Sequence, residues 1–95
     1  MIEPEILKRK EAILDIARRY GATDVRIFGS RSRGSGGPKS DLDVLIKLQP
    51  GGTYLDIIAI KQDMEELLGL TVDVLTEAAI SPFFRKGILE EAIPL

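Results

Sequence analysis

Ser40-Asp41-Leu42-Asp43-Val44-Leu45-Ile46-Lys47-Leu48 is the stretch on which the fold turns. Leu42, Val44, Ile46 and Leu48 fall on one face of an extended chain, with Asp41, Asp43, Leu45 and Lys47 on the other. A period of two is the signature of a β-strand. From Val44 to Leu48 the apolar run is broken only by Lys47, which predicts a strand inside a sheet rather than at its margin. Two carboxylates at its start, two residues apart, then project from the same face, with Cβ atoms about 7 Å apart.

Working outward, Asp24 to Phe28 is a short β-rich run that stops at Gly29. Residues 30–40 carry Gly34, Gly36, Gly37 and Pro38, which predicts a brief helical turn and then a loop. Upstream, residues 4–20 repeat apolar side chains at helical spacing, with Pro4 in the first turn and Gly21 at the stop. Downstream, Pro50-Gly51-Gly52 interrupts the chain. Ile57, Ile60, Met64, Leu67 and Leu68 then mark a helix over 54–68 ended by Gly69. Thr71 to Leu75 reads as a further strand, and Ser81-Pro82 as the cap and first position of a helix over 82–92. Ile93-Pro94-Leu95 suggests a short last strand, with Pro94 weighing against it. The expected architecture is α/β (α+β): a small mixed sheet of three to four strands packed by helices, with residues 1–95 as one domain.

Composition narrows the chemistry. The 95 residues are 44% hydrophobic and 29% charged, enough apolar material for one ordinary core. Cysteine and histidine are absent, so disulfides, thiolate or imidazole zinc sites, Ser-His-Asp triads and histidine bases are excluded. Any metal must accept oxygen ligands. There is no apolar run long enough to span a membrane and no signal-peptide core at the acidic start, so a cytoplasmic protein is expected. A net charge of −2 argues against bulk nucleic-acid binding. Charge is uneven: residues 1–47 hold ten Lys/Arg against seven acids, and 48–95 hold three against eight. The basic half contains the candidate site and suits a polyanionic substrate.

An isolated Asp-x-Asp is more often a solvated strand end than a site. Here Asp73 also stands alone in an apolar strand, where burial and β-propensity both disfavour it. It makes sense if it faces Asp41 and Asp43, and three converging carboxylates call for bound cations. Gly29-Ser30-Arg31-Ser32-Arg33-Gly34, directly after a strand, adds a phosphate-binding candidate. Gly29 allows close backbone approach, the turn aims N–H groups, and Ser30, Arg31 and Arg33 supply a hydroxyl and guanidinium groups. The segment is neither a Walker A loop nor a G-x-G-x-x-G fingerprint.

Gly29-Ser30, ten residues, Asp41-x-Asp43, and a lone aspartate in a later strand together resemble the signature of the DNA polymerase β-like nucleotidyltransferase superfamily. Within it, the Gly-Ser-Arg-x-Arg-Gly and Ser-Asp-Leu-Asp-Val wordings resemble the minimal nucleotidyltransferases, and the likeness covers nearly the whole chain. The resemblance implies the polymerase β-like palm fold. It also implies that Asp41 and Asp43 hold two Mg²⁺ ions against ATP, and that Asp73 holds one ion and helps orient or deprotonate the attacking hydroxyl. Gly29 and Ser30 would grip the phosphates, with Arg31 and Arg33 assisting. It further implies an antitoxin that transfers AMP to a tyrosine of a HEPN-domain RNase toxin in a hetero-oligomeric pair (AMPylation), with no membrane and no direct nucleic-acid contact. So small a chain leaves little sequence for a base pocket or acceptor site, which agrees with a protein partner. Two other readings remain: an antitoxin that neutralises its HEPN partner by binding alone, through the Leu/Ile-rich last helix and the acidic C-terminal half, and a nucleotidyltransferase acting on a small molecule. Lys47 and Lys61 are expected to be solvated or partner-facing, and Tyr20 and Tyr54 to pack.

Overall fold

The structure is a computed structural model describing residues 1–95. Its elements run α1 (Pro4–Leu7), α2 (Lys10–Arg19), β1 (Ala22–Phe28), α3 (Ser30–Arg33), β2 (Leu42–Leu48), α4 (Tyr54–Leu68), β3 (Val72–Thr76), a 3₁₀ turn (Glu77–Ala79), α5 (Pro82–Glu91) and β4 (Ile93–Pro94). The sheet is mixed and four-stranded, in the order β3-β2-β1-β4. β2 pairs antiparallel with β1 and parallel with β3, so it lies inside the sheet as its apolar run required.

The two faces of β2 meet different surroundings. Leu42, Val44 and Ile46 join Ile13, Ala17, Ile27, Ile60, Met64 and Val72 in the main core, under α2 and α4. On the opposite face Leu45 joins Phe28 and Ile80 in a smaller cluster, against which Ile88 and Leu89 of α5 pack. That second cluster reaches as far as Asp43, because Phe28 is registered against it across β1 and β2. α4 starts in a reciprocal cap in which Asp56 accepts the N–H of Thr53 at 3.0 Å, and it ends where the Gly69 N–H donates to the Glu65 carbonyl at 2.9 Å.

Two details depart from the sequence reading. The expected helix over 4–20 is two helices with a turn at Lys8 and Arg9. Ile2 and Ile6 of this first segment reach the core, and the Glu3 N–H donates to the Arg31 carbonyl at 3.1 Å. β1 starts at Ala22 rather than Asp24, because its register with β2 shifts between Thr23 and Arg26. Asp24 takes φ 51° at that bulge, a conformation aspartate tolerates better than most residues. The short last strand that the sequence suggests is present: Ile93 and Pro94 pair with Ile27 and Arg26 of β1. The strand lies at the sheet edge, where proline's missing N–H can face outward.

Candidate active site

β2 and β3 run parallel with Asp43 registered against Asp73. Registered neighbours project from the same face, one strand spacing of about 4.8 Å apart. Asp73 and Asp41, the latter in the residue ahead of β2, both lie near enough to act on Asp43 through their charge. Asp41 and Asp73 are exposed and Asp43 is half-buried. The carboxyl of Asp43 is raised from 3.8 to about 6, first by burial and then by the negative charges of Asp73 and Asp41.

Gly29 completes this corner. It has φ 76° and ψ −163°, which side-chain-bearing residues avoid, and a Cβ there would lie 2.2 Å from Asp43 Oδ2. The carboxylate therefore rests directly on the Gly29 backbone. The Gly29 carbonyl accepts from the Ser32 N–H at 3.1 Å and from Ser32 Oγ at 2.6 Å, which holds the turn from beneath. Ser30 begins α3 beside this corner and is half-buried.

The arginines part company. Arg33 is exposed and pairs with Glu91 at the end of α5. The other oxygen of Glu91 accepts the Gly29 N–H at 3.3 Å. A carboxylate thus occupies both a backbone donor and a guanidinium that the sequence reading gave to phosphate. Arg31 is buried, 5% exposed, and its donors go to Glu3, Gly37 and Ser40 instead of projecting into the site. Its placement differs from the expectation that it reaches a phosphate. The signal, visible only in three dimensions, is that Glu3 lies 28 residues away yet meets it at 2.6 Å.

Further residues around the site had no role in the sequence reading. Lys61 is partly exposed but bonded within the chain: Nζ donates to Glu65 Oε2 at 2.9 Å and to the Val72 carbonyl at 2.7 Å, while Glu65 accepts the Val72 N–H at 3.0 Å. A Lys placed four residues before a Glu is the weaker order for a helical ion pair, a hint that the pair serves the strand beside it. Glu91 has a similar hint, since an acid in the last turn opposes the helix dipole and needs a compensating donor. Tyr20 packs on the core and donates to Asp63 at 2.7 Å, whereas Tyr54 is 72% exposed and does not pack. Lys47 is exposed.

Asp41, Asp43 and Asp73 offer oxygen donors alone, which suits Mg²⁺. As placed, no three acidic side chains close into a cage. The set fits a cation that takes one or two carboxylates and completes its shell with phosphate oxygens and water, which is how Mg²⁺ binds beside nucleotides. The burial and mutual repulsion felt by Asp43 are what such a cation would relieve.

A sequence model of the nucleotidyltransferase domain family matches residues 9–95. A Methanocaldococcus jannaschii protein designated a protein adenylyltransferase is 39% identical over 92% of this chain and 91% of its own. The protein adenylyltransferase MntA of Thermococcus cleftensis is 29% identical over 83% of this chain and 80% of its own. A solved structure designated a minimal nucleotidyltransferase superposes with a TM-score of 0.87 at 42% identity, covering 100% of this chain and 97% of the other. A crystal structure of a toxin–antitoxin with AMP-PNP shares the fold, with a TM-score of 0.76 at 17% identity over 90% of this chain and 70% of that one.

Proposed function

This chain belongs to the nucleotidyltransferase domain family, as a minimal nucleotidyltransferase and an enzyme of that class, and from that premise we propose that it is an antitoxin that transfers AMP from ATP to a tyrosine of a HEPN-domain toxin. Residues 1–95 act as one catalytic unit in this reading. The observation that carries it is the registered pair Asp43 and Asp73, with the Gly29 turn pressed against the Asp43 carboxylate. The names of the relatives support protein as the acceptor, and the toxin–antitoxin neighbour with AMP-PNP supports both a toxin partner and an adenine nucleotide.

Asp41 and Asp43 would hold the two Mg²⁺ ions, with Asp73 sharing one of them. When bound, such ions neutralise charge on the phosphoryl group and on departing pyrophosphate. The chain's own groups do the rest. The Ser30 N–H and hydroxyl orient the phosphates, and once Glu91 yields them the Gly29 N–H joins in and Arg33 supplies positive charge. Asp73, exposed at the open side, accepts a hydrogen bond from the attacking tyrosine hydroxyl and takes its proton. The acceptor oxygen bonds to the α-phosphorus as the bond to pyrophosphate breaks, so AMP moves intact.

Labelled ATP, Mg²⁺ and the protein encoded next to this chain, mixed with the wild-type protein, are expected to give that neighbour label and added AMP mass. An Asp41→Ala/Asp43→Ala double variant should give none. Label transferred equally by the variant would refute the assignment. A second reading, neutralisation by contact alone, draws on α5. Its Ile88 and Leu89 face the small core, so the Leu/Ile surface expected for binding is not free, but Phe83 and Phe84 are 94% and 66% exposed. Inhibition of the neighbour by the double variant would favour that reading.

A further inference from the structure

We infer that Arg31 is a positioning residue, which fixes the backbone immediately ahead of Asp41 and so sets where that carboxylate enters the site. The inference rests on the reading of Asp41, Asp43 and Asp73 as the nucleotidyl-transfer site. Arg31 Nε and Nη2 both donate to the Ser40 carbonyl, at 2.9 and 2.7 Å, and Nη2 also lies 3.3 Å from the Gly37 carbonyl. Nη1 donates to Glu3 Oε1 at 2.6 Å, in an ion pair whose side chains are 6% and 12% exposed. With the guanidinium committed on three sides and buried, reaching a phosphate would break several charge-assisted hydrogen bonds at once.

The bonded groups explain why the brace is needed. Residues 34–40 contain three glycines and would otherwise enter β2 over many conformations. Within the loop, the Ser40 N–H donates to the Gly37 carbonyl at 3.0 Å and the Gly37 N–H to Ser40 Oγ at 2.9 Å. Arg31 docks on both carbonyls of that turn, and the turn ends one residue before Asp41. The same device recurs at the other strand. Val72, one residue before Asp73, has its N–H held by Glu65 and its carbonyl held by Lys61. Carboxylates that repel one another splay apart unless their backbones are fixed, and a misplacement of 1 Å at a reacting centre costs about a hundredfold in rate.

The test compares Arg31→Lys, which keeps the charge but not the fork, with Glu3→Gln and Lys61→Met. In the protein free of metal and nucleotide, Arg31→Lys should speed amide hydrogen exchange across residues 37–42 while far-UV circular dichroism stays that of the folded wild type. In AMP transfer, it should lower kcat by about tenfold or more and raise the Mg²⁺ concentration for half-maximal rate, with KM for ATP within about twofold. Lys61→Met should move kcat and the Mg²⁺ requirement in the same direction. A raised KM for ATP with an unchanged Mg²⁺ requirement would make Arg31 a phosphate ligand and overturn the inference, as would unchanged exchange at residues 37–42. If Arg31→Lys does not fold, Glu3→Gln decides: a positioning role predicts weaker Mg²⁺ activation, whereas a phosphate role predicts tighter ATP binding from a released guanidinium. No AMP transfer by the wild-type protein to any acceptor, with faster exchange still seen in Arg31→Lys, would remove the underlying reading and leave Arg31 as a loop anchor alone.

Discussion

Replacing Gly29 by alanine tests the corner of the site most severely. At φ 76° and ψ −163° a side-chain-bearing residue is strained by about 1–3 kcal/mol. The stiffer unfolded chain of Gly29→Ala adds about 0.4–1 kcal/mol of stabilisation in return, so the net loss is about 1–2 kcal/mol. For a chain of 95 residues that lowers Tm by about 4–15 °C. The steric effect is larger than the strain. The new methyl would sit 2.2 Å from Asp43 Oδ2 and 3.2 Å from its Cγ, inside contact distance for both. Either the Asp43 carboxylate turns away from Asp73, or the turn moves and its N–H groups lose their aim. Both outcomes should lower AMP transfer by about a hundredfold or more, far beyond what the stability loss explains at 25 °C. Gly87→Ala is the control, because nothing lies within 4 Å of its added Cβ and it sits inside α5, where alanine should stabilise by about 0.5–1 kcal/mol. Thermal unfolding and label transfer measured on both variants check this. Gly29→Ala with wild-type Tm and wild-type transfer would refute the placement of Asp43 against the turn.

Two further outcomes follow from the same geometry. The raised carboxyl of Asp43 binds a proton in the folded chain between about pH 4 and pH 6, where the unfolded chain has already released it, so this group makes stability fall as pH rises through that window. Asp43→Asn should therefore be more stable than wild type by about 1 kcal/mol at pH 7.5, a value reduced for solvent screening of a half-buried group, and show no such gain at pH 4, measured by urea unfolding; an equal gain at both would contradict the cause assigned. Because Glu91 holds the Gly29 N–H and Arg33, Glu91→Ala should lower the ATP concentration for half-saturation by about two- to fivefold in a binding titration, and an unchanged or weaker affinity would show that these donors do not meet the nucleotide.

What could be read before any coordinates were those features set by local period and by residue type. Alternation in 41–48 gave the central strand and both its faces, including Leu45 on the side of the aspartates, and the oddity of Asp73 in an apolar strand pointed to the residue registered with Asp43. Glycines at 21, 29 and 69 marked the ends of elements for the same local reason. The features missed are those that depend on residues far apart in sequence. Nothing near Arg31 indicates that Glu3 will bury its charge, and nothing near Gly29 indicates that an acid 62 residues away will bond to it. The bulge at Asp24 and the break at Lys8 and Arg9 arise from fitting β1 and the N-terminal segment to neighbours that periodicity does not reveal. The short last strand was legible as well, since the rule that weighs Pro94 against a strand says little about an edge.

The convergence of two strands on a shared cation is tested most directly by anomalous diffraction from crystals grown with Mn²⁺, a carboxylate- and phosphate-binding stand-in for Mg²⁺, and a non-hydrolysable ATP analogue. The expected result is metal density bridging Asp41 and Asp43, with a carboxylate oxygen of Asp73 in the same coordination shell and the analogue's phosphates on the Gly29–Ser30 turn. Manganese bound elsewhere, with the three aspartates unligated at saturating metal and analogue, would contradict it.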